Sequence, residues 1–75
     1  MITTHNRIAA LSPLEQSILR MLTIAVTNRE IANAFGKTED CVKQSLRLIF
    51  RSIAARNRTH AALLAVDFFG KAKEP

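Results

Sequence analysis

Apolar residues recur along the chain at helical spacing, and each recurrence opens on a residue able to cap a helix. Leu14, Ile18, Met21, Leu22 and Ala25 mark the first helix face. Ser12 precedes them, Pro13 suits the first helical position, and Glu15 can reach back to close a capping box. A helix over about 13–24 is predicted. Thr27-Asn28-Arg29-Glu30 repeats the capping box, and Ile31, Ala32 and Phe35 give a short second helix one apolar side. Gly36 stands where a left-handed terminal residue is expected. Thr38 then caps a third helix over about 39–54, with Glu39 and Asp40 favourably placed at its positive dipole end. A fourth helix starts near Asn57–Thr59 and ends before Gly70. Residues 1–10 show no strong pattern and read as an arm, 11–70 as the folded domain, and 71–75 as a frayed tail.

The third helix carries the most information. At 100° per residue from Lys43, the residues Val42, Leu46, Ile49, Phe50 and Ile53 fall between about 240° and 340°. Asp40, Lys43, Gln44, Arg47 and Arg51 fall between about 0° and 100°. One face is apolar and the other mostly basic. The fourth helix differs: from Ala61 to Phe69 only Asp67 is polar. A helix apolar nearly all round must be covered on most sides. A domain of 75 residues covers part of it, which leaves Leu63, Leu64, Val66, Phe68 and Phe69 as a candidate dimer or partner surface.

Composition narrows the picture. Only two Gly and two Pro, with neither Trp nor Tyr, suit an all-α domain whose core is Leu, Ile, Val, Ala and four Phe. The net charge of +5 favours polyanionic partners, and its placement sharpens this. Between Val42 and His60 stand Lys43, Arg47, Arg51, Arg56 and Arg58 with no acid. A single cysteine excludes an internal disulfide and fits a reducing compartment. No apolar run approaches the ~18 residues that span a bilayer. A cytoplasmic, nucleoid-associated protein is expected.

Two short helices joined by the turn Gly36-Lys37-Thr38, the second amphipathic and basic, form a helix-turn-helix pattern. The apolar stripe would anchor the third helix on the first two, holding its opposite face out to fit a major groove. Lys and Arg donate to guanine or to phosphate, and Gln44 can pair with adenine. The start of the second helix, with Asn28 and Arg29, can meet a phosphate.

Leu11-Ser12-Pro13-Leu14-Glu15, Ile18-Leu19, Thr27-Asn28-Arg29-Glu30-Ile31-Ala32, Val42-Lys43 and Arg56-Asn57-Arg58-Thr59 resemble the LuxR/GerE family of bacterial regulators, from about Leu11 to Val66. The resemblance implies a four-helix DNA-binding domain whose third helix reads bases and whose fourth supports dimerisation. It implies base reading by Lys43, Gln44 and Arg47. It implies phosphate contacts by Asn28, Arg29 and Thr38, with Arg51 and Arg58 beside them. The chain departs from the family pattern at Ala25, where Gly is usual. It departs also at Cys41 and Ser45, where Thr and His are common, and near Ile53-Ala54, where Leu-Gly is common. No receiver or sensor segment precedes these motifs, so the chain reads as a stand-alone regulator or the output part of a longer one.

Several residues have competing roles. Arg58 could pair with Glu15 inside the domain instead of with phosphate. Asp40 serves the helix dipole or accepts from cytosine N4. Cys41 reads as a small, half-buried filler rather than a redox switch. His5 and His60 have no companions at metal-ligand spacing, no serine has triad partners, and no glycine-rich loop cradles a nucleotide, so no cofactor and no enzyme chemistry are expected. The expected partners are double-stranded DNA and a second copy, with another transcription regulator or RNA polymerase as further candidates. The alternative function is an interaction module that pairs with a larger LuxR-type regulator through Leu63–Phe69.

Overall fold

Each α-helix among the described residues begins on a side chain that accepts from its own first turn. Thr3 accepts from the amide of Asn6, Ser12 from Glu15, Thr27 from Glu30, Thr38 from Cys41 and Asn57 from His60. These caps satisfy amide groups that a helix start leaves without partners. In the computed structural model, which describes residues 3–24 and 26–70, they open α1 (Thr4–Ala9), α2 (Pro13–Met21), α3 (Asn28–Phe35), α4 (Glu39–Ser52) and α5 (Arg58–Ala65). A 3-10 turn over Leu22–Ile24 prolongs α2, and a π-helical turn over Val66–Gly70 prolongs α5. The described residues contain no strand. The expected all-α helix-turn-helix domain is what the chain forms. The tail at 71–75 and Ala25 fall outside the described residues.

None of these helices is long enough to hold in water alone, so packing must stabilise them. Ile18 and Leu19 of α2, Ile31 of α3, Val42, Leu46 and Ile49 of α4, and Ala61 and Ala65 of α5 meet in one buried cluster. Ile53, just past α4, joins it, and Phe50 packs half-buried at its margin. The apolar stripe read from the sequence of the third predicted helix is thus the inward face of α4.

Two expectations need correction. The stretch read as an arm contains α1. Ile8 is fully buried and Leu11 nearly so. Gln16 Nε2 donates to the carbonyls of Ala9 and Leu11, both at 3.2 Å. His5 Nε2 donates to Asp67 Oδ2 at 2.7 Å, and its ring meets Phe68 edge-on at 5.4 Å. A six-residue helix has no periodicity to read, and its stability comes from these tertiary contacts.

The second correction concerns the expected dimer surface. Phe69 is buried in the domain's own core, and Leu64 and Phe68 pack half-buried against it. Phe69 lies in the π-helical turn that prolongs α5 and is buried there, with the Arg20 guanidinium 5.7 Å from its ring. Leu63 and Val66 remain outside, 64% and 48% exposed.

Candidate nucleic-acid interface

The turn between α3 and α4 fixes how α4 is presented. Gly36 ends α3 with φ 65 and ψ 37, the left-handed conformation that glycine adopts without strain. Lys37 N then donates to Ala32 O at 2.9 Å, and Thr38 opens α4 immediately after. Capped at its start and fastened by Val42, Leu46 and Ile49, α4 has a defined rotation about its axis. That rotation leaves Asp40, Lys43, Gln44, Arg47 and Arg51 all exposed.

The outward face has two unlike flanks. On one, Lys43 and Arg47 border a depression of about 290 Å³ whose other walls are Asn28, Arg58, Leu46 and Phe50. The starts of α3 and α5 therefore meet the cationic side of α4. Arg58 is held there by two hydrogen bonds, Nη1 to Asn28 Oδ1 and Nη2 to Val26 O, both 2.7 Å. Arg29 is exposed at the same end of α3. On the other flank, Thr38, Asp40, Cys41, Gln44, Ser45 and Leu48 border a depression of about 480 Å³ that no cation lines.

The capping box at the start of α3 adds a charge effect. Thr27 N and Thr27 Oγ1 both donate to Glu30 Oε1, at 2.8 and 3.1 Å. These bonds, the backbone one first, hold the Glu30 carboxyl below the ordinary glutamate range.

The structure thus brings Lys43 and Arg47 together with Asn28 and Arg58, and sets Gln44 and Thr38 on the opposite flank. Arg51 lies further along the exposed face of α4. Thr38 spends its Oγ1 on the Cys41 amide, at 3.1 Å. The alternative pairing of Arg58 with Glu15 is not formed, because Glu15 accepts from Ser12 N at 2.9 Å in its own capping box while Arg58 turns to α3. Cys41 is exposed rather than half-buried. One outward residue was not singled out from the sequence: Leu48, 55% exposed on α4. Its wheel position, about 140° from Lys43, was the available signal. The Val26 carbonyl that receives Arg58 left no signal at all, since a main-chain acceptor has no residue type.

A helix-turn-helix whose second helix is anchored by one face and cationic on the other defines a class of DNA-binding domain. The family model for bacterial regulatory proteins of the luxR family matches residues 9–65, and the chain belongs to that family. It is 41% identical over 59 residues to the probable csgAB operon transcriptional regulatory protein of Salmonella typhimurium. It is equally similar, 41% over 59 residues, to the CsgBAC operon transcriptional regulatory protein of Escherichia coli. Each alignment covers 79% of this chain and 27% of the relative, so the chain spans about a quarter of their length. No solved structure matches it significantly. The family is one of regulators, not of enzymes. Among the described residues, no helix is long and apolar enough to cross a membrane.

Proposed function

We propose that the protein is a sequence-specific regulator of transcription that reads double-stranded DNA by laying α4 in the major groove. The observation that carries this is the exposure of Lys43, Gln44 and Arg47 directly behind the buried Val42, Leu46 and Ile49. A side chain reads a base edge only if its backbone is held rigidly against the groove, and the buried stripe supplies that hold. Lys43 and Arg47 donate to guanine O6 and N7, and Gln44 pairs with adenine N6 and N7. Asn28, Arg29, Thr38, Arg51 and Arg58 flank the strands and set the register on phosphates, with Arg58 and Asn28 acting as one linked pair. The protein works in the cytoplasm, at the nucleoid.

The domain binds as a homodimer, with Leu63 and Val66 on the outer side of α5 and its extension as the contact. Two reading helices then enter successive major grooves, with half-sites roughly 10–10.5 bp apart. The same exposed pair supports a second reading, pairing with a larger LuxR-type regulator. Gel filtration with and without operator separates the two, because a chain that binds DNA tightly as its own dimer needs no such partner.

The test is a duplex selected from random sequence and titrated with three variants. Lys43→Ala and Arg47→Ala each weaken the selected site by about 1–3 kcal/mol and relax its sequence preference. Arg51→Ala weakens all duplexes alike and flattens the salt dependence. Equal losses on every duplex for all three variants would rule out base reading by Lys43 and Arg47.

A further inference from the structure

The two flanks of α4 differ in chemistry as well as in position. The core-facing residues centre near 290° on the helical wheel, so the outward direction lies near 110°, between Gln44 at about 100° and Leu48 at about 140°. Leu48 thus points almost straight away from the core, one turn beyond Gln44 on the same side. It is 55% exposed, and it lines the uncharged depression with Thr38, Cys41, Gln44 and Ser45. An exposed leucine beside a cationic face adds nothing to the core, which is formed behind it by Val42, Leu46 and Ile49.

Beyond Thr38 at the start of α4, the flank it occupies is unsuited to a phosphate strand. No cation lines it, and its one charged member is the carboxylate of Asp40. What it suits is a base edge that shows an amino donor and a methyl group. In the major groove only an A·T pair does so, through adenine N6 and the thymine C5-methyl. Gln44 meets the first and Leu48 the second.

We propose that Leu48 is a specificity-determining residue that reads thymine through its C5-methyl group, beside an adenine read by Gln44. The proposal rests on α4 being a major-groove helix, and adds a polarity to it. Guanine is read on the Lys43 and Arg47 flank, and A·T on the Gln44 and Leu48 flank, so each half-site has a G·C-bearing side and an A·T-bearing side.

The experiment replaces each thymine of the selected duplex in turn by deoxyuridine, which removes only the methyl. Wild-type protein loses about fourfold in affinity at one thymine per half-site, the worth of one buried methyl. Leu48→Ala binds the thymine and uracil duplexes equally at that position, yet keeps the wild-type salt dependence and the wild-type response to changes at the guanines. Because Leu48 is exposed, this variant folds, which its far-ultraviolet circular dichroism verifies. A wild-type protein indifferent to every thymine methyl overturns the proposal while leaving major-groove binding intact. So does a methyl preference that survives in Leu48→Ala, or a Leu48→Ala defect that appears only in self-association. Failure to bind any duplex removes the reading beneath it, and the proposal with it.

Discussion

Gly36 and Ala54 close successive helices in the same left-handed conformation, with φ 65 at Gly36 and φ 59 at Ala54. The hydrogen bonding matches as well. Lys37 N reaches back to Ala32 O at 2.9 Å after Gly36, and Ala55 N reaches back to Phe50 O at 2.8 Å after Ala54. Both are the six-to-one closure that satisfies carbonyls at a helix end. One motif is used twice, once with the residue that fits it and once with a residue that does not. An alanine held there carries a steric cost of roughly 1–2 kcal/mol between its Cβ and the following carbonyl.

Ala54→Gly is therefore expected to stabilise the domain. Part of the relief is cancelled, because glycine loses more freedom on folding. A net gain of about 0.5–1 kcal/mol is expected, read as a rise in Tm of a few degrees. Gly36→Ala is the mirror experiment. No atom beyond its chain neighbours lies within 4 Å of a Cβ built there, so packing against the rest of the domain plays no part and the loss of about 1 kcal/mol comes from the left-handed backbone itself. Urea denaturation of both variants checks the pair, and losses in both would contradict the strain at Ala54.

The second prediction concerns acid. Thr27 lowers the Glu30 pKa by hydrogen bonding to the ionised form. A group whose folded pKa is depressed stabilises fully above its unfolded value and loses that stabilisation as pH falls through its folded value. The α3 capping box therefore weakens below the ordinary glutamate range, toward the depressed pKa. Glu30→Gln keeps an acceptor for Thr27 N but removes the titration, so its stability curve should lack that part of the acid loss. Carboxyl NMR of the native protein checks the cause: Glu30 should titrate below glutamate in an unstructured peptide.

How much of this was legible in the sequence depended on range. The capping boxes at Ser12–Glu15 and Thr27–Glu30, the glycine at 36 and the cap at Thr38 are local chemistry, and each formed as read. The rotation of α4 followed from periodicity alone, because one apolar stripe admits one inward face. What escaped was tertiary. The helix α1 depends on Ile8 entering a core built by other helices, and Phe69 is buried in a π-helical turn that no pattern announces. Arg58 was recognised as poised between roles, but its partners are 30 and 32 residues away, and one is a main-chain carbonyl.

That bridge supplies the third prediction. Arg58 ties the start of α5 to the start of α3 through Asn28 and Val26. Arg58 is exposed, so water competes for these bonds and each is worth little. A double-mutant cycle of Arg58→Ala with Asn28→Ala should give a coupling of about 0.2–1 kcal/mol in stability. If the pair also sets one phosphate contact, the cycle measured on DNA binding should show coupling too, because loss of Arg58 leaves Asn28 unoriented. Additive effects on both readouts would mean the two side chains act independently.

The last prediction tests whether α1 belongs to the domain. The backbone bonds at its ends, Arg7 N to Thr3 O and Leu11 N to Ile8 O among them, stay within the segment, so its attachment must come from side chains. Ile8 has no exposed surface and lies in the core cluster shared with Ile18, Leu19 and Ile53. His5 joins α1 to Asp67 across the surface, and Arg7 Nη1 reaches the Ser52 carbonyl at 3.4 Å. These surface bonds are exposed and weak, whereas Ile8 is packed on all sides. The cost of Ile8→Ala should therefore fall in the buried-aliphatic range, about 2–4 kcal/mol, toward its lower end because a terminal helix can shift to fill the cavity. His5→Ala should cost less than about 1 kcal/mol. In a domain this small such a loss is a large share of the total, so Ile8→Ala should lower the urea midpoint markedly without changing the slope. An arm lying loosely on the surface would give Ile8→Ala an effect within about 0.5 kcal/mol, as for other surface substitutions, and that result would detach α1 from the fold.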